Sequence, residues 1–287
     1  RLCLDETQRE GVLAADGHHV LMGLLHAGLG SKTAEHAVGA LAHLSCHVPA
    51  SRLPLVQAGA VAPIVALLRT APTARNEDVV LAIAAHLVTN LCHTSAGIEA
   101  CQKAGAIVPL VSLLGAAPEG ALQAAGALCN LSFDPEANKD VNHAEIRKAG
   151  AVPALVALLH GETARAASGA LRNLAADDAG AATIRSAGGI VPLVALLHAA
   201  EAETAERAAA ALFNISIRDQ QSQPAILAAL AARPPPPPPH DDRPAFADLL
   251  DELQHIATER LTAAEAGDDH AALQQAIDQA AAVRVAD

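Results

Sequence analysis

Asparagine recurs at one place in a repeated phrase: Asn90 in AHLVTNLC (85–92), Asn130 in AAGALCNLS (124–132), Asn173 in ASGALRNLA (167–175) and Asn214 in AAAALFNIS (208–216). His43 holds that place in AVGALAHLS (37–45). A carboxamide carries donors and an acceptor on one planar group. A row of them on one surface can pair with the N–H and C=O groups of an extended peptide backbone whatever its side chains. The same amides can instead satisfy buried backbone groups of an adjoining repeat. The sequence leaves both roles open.

Other groups with chemical potential stand in register with these amides. Eleven residues before three of them lie Glu119, Glu162 and Glu203, at the starts of helical patterns where the helix dipole favours a carboxylate. The alternative role for these carboxylates is an acidic rim facing basic or mixed-charge partners. Arg165, Arg172 and Arg207 interrupt such a rim. Four residues before the repeated position stand Gly39, His86, Gly126, Gly169 and Ala210. Glycine inside a helix costs about 0.5–1 kcal/mol against alanine. Three of them at one repeat position therefore predict a close approach, either by the neighbouring helix or by a partner's backbone. His43-x-x-Cys46-His47 has the spacing of metal ligands on one helix face, but no second cluster completes it, and no metal or other cofactor is expected. A pH response through His43 and His86 is the other chemistry these imidazoles offer. No GxSxG or GxxxxGK[ST] motif occurs, and nothing assembles a nucleophile with a base. The expectation is a protein that is not an enzyme.

The elements that position these residues follow from a second repeated phrase. VLMGLL (20–25), VAPIVALL (61–68), IVPLVSLL (107–114), VPALVALL (152–159) and IVPLVALL (190–197) each precede an asparagine or histidine phrase. Their closing leucines, Leu25, Leu68, Leu114, Leu159 and Leu197, are 43, 46, 45 and 38 residues apart, the period of stacked helical units. Each unit divides into three helices. In the third unit these are Ser95–Lys103, Val108–Leu114 and Glu119–Ser132, with a break at Gly105. Gly59, Gly105, Gly150 and Gly188 close first helices in the left-handed conformation, and Pro63, Pro109, Pro153 and Pro192 fit the first turn of the second. Asp16 replaces the glycine in the first unit, which predicts an irregular cap there. The third helices bury one stripe, Ala167, Ala170, Leu171 and Leu174 in the fourth unit, Ala208, Ala211, Leu212 and Ile215 in the fifth, and Ala37, Ala40, Leu41 and Leu44 in the first.

Composition agrees with that architecture and narrows the partners. Hydrophobic residues make up 52%, yet with three Phe, no Trp and no Tyr the core must be aliphatic and helix-prone. A formal charge of −12 and no aromatic stacking platform argue against nucleic acid. No apolar run reaches the roughly 18–20 residues of a spanning helix, and the N-terminus lacks a basic-then-apolar leader, which predicts a soluble protein in the cytoplasm, with the nucleus as a further place. Five cysteines, Cys3, Cys46, Cys92, Cys101 and Cys129, read as reduced thiols. The chain opens on Arg1 rather than Met, which implies a fragment or a processed product.

The glycine-proline corner, the LVxLL second helix and the A-L-x-N-[LI] third helix resemble armadillo repeats, over about residues 5–230. The resemblance implies an all-α fold, a right-handed superhelical armadillo repeat solenoid of about five three-helix repeats. The units run 5–47, 48–93, 94–132, 133–176 and 177–218, with a C-terminal cap at 219–232, so that residues 1–232 form the array. Residues 233–244 hold six consecutive prolines, a polyproline linker, and 245–287 read as a helical hairpin with Phe246, Leu249, Leu250, Leu253 and Ile256 on one face.

In that family the third helices line a concave groove that binds extended or helical protein segments. Here this would involve His43, Asn90, Asn130, Asn173, Asn214, Gly126, Gly169, Arg172 and Arg207. The tryptophans by which importins form pockets for basic side chains are replaced by glycine, histidine and alanine, which speaks against an importin-like cargo receptor. The expectation is a scaffold that binds a partner protein in a wide, shallow groove. Alternatives are the substrate-recognition arm of a U-box-type ubiquitin ligase whose catalytic domain lies outside this chain, and a structural spacer acting through residues 233–287. The proline run is expected to be a linker, with docking of a polyproline-binding domain as the other option.

Overall fold

The structure is a computed structural model that describes residues 11–12, 14–28, 30–70, 75–133, 139–232 and 255. The polyproline linker, the hairpin, Cys3 and the rest of the first ten residues lie outside the described residues, His255 excepted. Among the described residues all regular structure is helical. The chain divides into two compact bodies, residues 1–154 and 155–287, a division that falls inside the expected fourth unit.

The first body contains α1 (Gly17–Leu25), α2 (Lys32–His47), α3 (Arg52–Gln57), α4 (Val61–Leu68), α5 (Arg75–Leu91), α6 (Ser95–Lys103), α7 (Ile107–Leu113), α8 (Pro118–Ser132) and α9 (Lys139–Lys148), and α10 (Ala151–Ala157) begins in it. The third helices of the first three units, α2, α5 and α8, pack side by side in chain order, and α1, α4 and α7 form a second row. First and second helices meet at a sharp corner, 88° where Pro49–Gln57 turns into Val61–Leu68. Such a corner needs a residue that accepts positive φ. Gly59 (85°), Gly105 (68°) and Gly150 (78°) supply it as expected. Asp16 adopts φ 53°, the same left-handed region. The turn at Asp16 therefore keeps the conformation the glycines give the other units, while most of the first helix of that expected cap lies outside the described residues. Aspartate is among the few L-residues that enter this region at tolerable cost.

The second body contains the end of α10, a 3₁₀ turn at Gly161–Thr163, α11 (Ala164–Leu174), α12 (Asp178–Ser186), α13 (Ile190–Leu196), α14 (Ala202–Arg218) and α15 (Gln223–Ala232). α11 lies along α14, and α13 packs on both α14 and α15. The corner between α12 and α13 is 93°, with Gly188 at φ 74°.

The predicted stripes are the cores. Ala167, Ala170, Leu171, Leu174, Ala208, Ala211, Leu212 and Ile215 are wholly buried, as are Ala124, Ala127, Leu128 and Leu131 on α8. Each buried leucine contributes about 1.5–3 kcal/mol. Ala40 departs from the pattern and is only half-buried.

The C-terminal ends of third helices leave carbonyls without helical partners. Polar side chains of the next first helix satisfy them. Arg52 Nε donates to Ser45 O at 2.9 Å and Ser51 Oγ to Leu44 O at 3.1 Å, while Asn142 Nδ2 donates to Leu131 O at 3.0 Å. In the second body Gln223 Nε2 donates to Ser216 O at 3.1 Å. These bonds stitch one unit to the next at the edge opposite the corners. No single helix among the described residues is long and apolar enough to cross a membrane.

Candidate functional site

The repeated asparagines are placed by the stripe. Each stands two residues after its third member, which turns the amide to the flank of the core and toward the preceding third helix. Asn130 Nδ2 donates to Thr89 O at 3.0 Å, and Asn214 Nδ2 donates to Arg172 O at 3.1 Å. Thr89 and Arg172 are each the residue just before the asparagine of the preceding unit. Asn90 Nδ2 donates to Ser45 Oγ at 3.1 Å. Asn173 is buried and its Oδ1 accepts from Arg172, from Nε at 3.3 Å and Nη2 at 3.1 Å. One donor of Asn90, Asn130 and Asn214 is thus committed between repeats, where each such bond contributes about 1 kcal/mol. Asn130 and Asn214 remain half-buried, so their amides also reach the surface.

In the first body the surface over α2, α5 and α8 opens into a cleft of about 430 Å³. Gly39, His43, Cys46 and His47 line it from α2, Val79, Ala82, Ile83 and His86 from α5, and Glu119 and Gln123 from α8. Its floor is apolar, and Val79 is 57% exposed. His86 Nδ1–H donates to Gln123 Oε1 at 2.9 Å, and Gln123 Nε2 donates to Glu119 Oε1 at 3.0 Å. This chain fixes the imidazole tautomer and leaves Nε2 of neutral His86 as an acceptor. Glu119 stands in the first turn of α8, as the dipole argument predicts, but its carboxylate also anchors this relay. The rings of His43 and His47 stack with centroids 5.9 Å apart.

The glycines of this surface overturn part of the steric expectation. A Cβ on Gly39 would meet nothing within 4 Å, and on Gly126 it would meet only the Thr89 side chain, Cγ2 at 3.6 Å and Oγ1 at 3.7 Å, ordinary contact distances. The neighbouring third helix does not require glycine at either place. Two other glycines, which sequence reasoning missed, are crowded by backbone. A Cβ on Gly97 would lie 2.0 Å from Leu91 O, and on Gly180 1.8 Å from Leu174 O. Both follow an N-cap whose side chain accepts from the glycine N–H, Thr94 Oγ1 at 3.0 Å and Asp177 Oδ1 at 2.7 Å. The signal available in the sequence was Thr or Asp three residues before glycine, just after a third helix.

The corresponding surface of the second body is charged. Arg207 Nη1 donates to Arg165 O at 2.9 Å and its other nitrogen pairs with Glu203, which also meets Arg165 at 3.3 Å. Burial alone would raise the Glu203 pKa, but Arg207 and Arg165 outweigh it and hold the carboxyl below its ordinary range. Glu203 is therefore neutralised locally rather than presented as an acidic rim. Glu162 lies in the 3₁₀ turn ahead of α11, and Gly169 is buried.

Among the described residues, His43, Cys46 and His47 do not bring three ligand atoms together. One group does, Asp16, His18 and His19. His18 is 6% exposed; burial and then His19 lower its pKa, against the pull of Asp16. Cys92 and Cys101 are buried with their sulfurs 3.5 Å apart; the hydrogen bond to Cys101 and then burial push the Cys92 thiol up.

Three-helix units with glycine corners, third helices in a row and amides reaching back one unit define an α-helical repeat protein. Residues 177–217 match the armadillo/beta-catenin-like repeat. An engineered protein solved by a structural genomics consortium superposes with a TM-score of 0.75 at 27% identity, over 97% of this chain and 71% of that one. A designed armadillo repeat protein superposes with a TM-score of 0.65 at 23% identity, over 92% of this chain and 99% of that one. Another, solved in complex with the peptide (KR)4, gives a TM-score of 0.63 at 22% identity, over 92% of this chain and 98% of that one. No curated protein matches. The chain has the armadillo repeat fold, and residues 177–217 match the repeat in sequence.

Proposed function

We propose that the chain is a non-catalytic scaffold that holds a segment of a partner protein in the cleft over α2, α5 and α8. The observation that carries this reading is Gly39 in the cleft wall. It costs about 0.5–1 kcal/mol of helix stability, and among the described residues no neighbour uses the space a side chain would take. A backbone or helix laid on this surface would use it. The occupant is a helix or an extended segment whose apolar side chains meet Val79 and Ile83 and which offers a hydrogen-bond donor to His86 Nε2. The designed armadillo repeat protein that binds (KR)4 supports segment binding in general. Strongly basic peptides fit this cleft less well, because no Trp, Tyr or Phe lines it to cover their aliphatic stems.

The test is selection of peptide ligands from a displayed library, followed by affinity measurement against Gly39→Leu and His86→Ala. The first fills the cleft and the second removes its imidazole acceptor, and neither touches the buried stripe. A loss of at least tenfold with both supports the reading, and ligands whose affinity neither substitution alters refute it.

A further inference from the structure

Outside the cleft, three ligand-type side chains converge at the start of α1. One oxygen of Asp16 and one ring nitrogen from each of His18 and His19 lie within 4.8 Å of one another. Two further observations single this cluster out from the other histidines. The first is that His18 is more than nine-tenths buried and its Nδ1 has no hydrogen-bond partner. A buried polar nitrogen left unpaired is costly, and native proteins rarely tolerate one without a ligand, ion or water to satisfy it. The second is that Asp16 occupies the N-cap position of α1 yet makes no side-chain cap bond. Aspartate at this position ordinarily accepts from the N–H of the second or third helical residue, so its carboxylate is left available for another partner.

We propose that Asp16, His18 and His19 bind one divalent transition cation of the zinc class, through a carboxylate oxygen and two imidazole nitrogens, with the remaining position open to water. The donor set suits such an ion: imidazole and carboxylate hold zinc at about 2.0–2.2 Å in tetrahedral geometry. At those bond lengths the ligand atoms stand roughly 3.4 Å apart, so side-chain rotations that close separations of at most 4.8 Å to that distance complete the site. Calcium and magnesium, which take oxygen ligands, do not match two imidazoles. The cation would supply the partner that His18 lacks and tie the left-handed turn at Asp16 to the first turn of α1, fastening the entry to the first repeat.

The experiment uses the full chain, stripped of metal, with zinc(II) titrated by calorimetry and cobalt(II) as a spectroscopic probe. Asp16→Gly removes the carboxylate while retaining a residue that accepts the left-handed turn, as glycine does in the other units, and His19→Gln alters an exposed side chain, so both variants fold. His47→Gln controls for the other exposed imidazoles. The expected result is one equivalent of zinc per wild-type chain, at least tenfold weaker binding in Asp16→Gly and in His19→Gln, no change in His47→Gln, and a zinc-dependent rise in unfolding midpoint that Asp16→Gly lacks. Wild-type zinc affinity in both Asp16→Gly and His19→Gln, loss of binding in His47→Gln instead, or no zinc binding up to millimolar metal would each overturn the proposal.

Discussion

Two glycine-to-alanine substitutions should move stability in opposite directions. At Gly180 the added Cβ would stand 1.8 Å from Leu174 O and 2.7 Å from Leu174 C, both backbone atoms at the end of α11. Real Cβ atoms stay beyond about 3.0 Å, so more than an ångström of main-chain displacement is required. That displacement pulls the Gly180 N–H from Asp177 Oδ1, now 2.7 Å away. Overpacking of this kind costs about 1–3 kcal/mol and a lost N-cap about 1 kcal/mol, against roughly 1 kcal/mol of helix propensity gained. Gly180→Ala should therefore lose about 2 kcal/mol net. At Gly126 the new methyl meets only the Thr89 side chain, at 3.6 and 3.7 Å, and the change should gain about 0.5–1 kcal/mol. Urea titration followed by far-UV circular dichroism measures both, with the midpoint compared at constant slope because repeat arrays can unfold in steps. Wild-type stability in Gly180→Ala, or a loss of 1 kcal/mol in Gly126→Ala, would refute the steric reasoning.

Asn130→Ala removes the bond to Thr89 O and should cost about 1 kcal/mol of stability in the same titration. Asp219, 9% exposed, receives Arg185 Nε at 2.5 Å and Ser222 Oγ at 2.6 Å; burial alone would raise its pKa, but these bonds outweigh it and the net shift is downward. A depressed carboxyl stabilises the fold above its unfolded pKa, and the contribution fades as pH falls through the folded value, so Arg185→Ala should cost about 1.5–3 kcal/mol at pH 7 and little at the acid end of a pH-resolved denaturation series. Cys46 should react with a thiol reagent in the native state, whereas Cys92 and Cys101, 3% and 0% exposed, should react only on unfolding; peptide mass mapping of the labelled sites checks this.

The fold was legible because helical periodicity and the glycine-proline corners are local signals. The third-unit helices expected at Ser95–Lys103, Val108–Leu114 and Glu119–Ser132 occur at Ser95–Lys103, Ile107–Leu113 and Pro118–Ser132. The turn at Asp16 was not legible, because residue type stood in for backbone conformation and aspartate can adopt the conformation glycine prefers. The glycines show the limit more sharply. Gly126 and Gly180 both sit in helices, yet whether a methyl fits depends on what passes nearby, the backbone at the end of the preceding third helix at Gly180 and only the Thr89 side chain at Gly126. The cleft was less legible than the stripe, since Val79 and Gln123 join it only through helix packing, and the relay from His86 to Glu119 spans two units. The partner of each asparagine amide was likewise a long-range fact, separated by 41 or 42 residues for Asn130 and Asn214.

Those two amide bonds act as a ruler. Each is measured from one asparagine to the residue before the previous one, both on long helices, and the connecting loops take no part in it. Consecutive second-helix phrases are 38 to 46 residues apart, while the amide register holds at both sites where it is seen. Insertions in the loops can accumulate without throwing neighbouring repeats out of step, and duplicating a whole unit carries both halves of the joint with it. A lineage built this way can lengthen its array, or vary the loops at its rim, before it has to redesign a single interface.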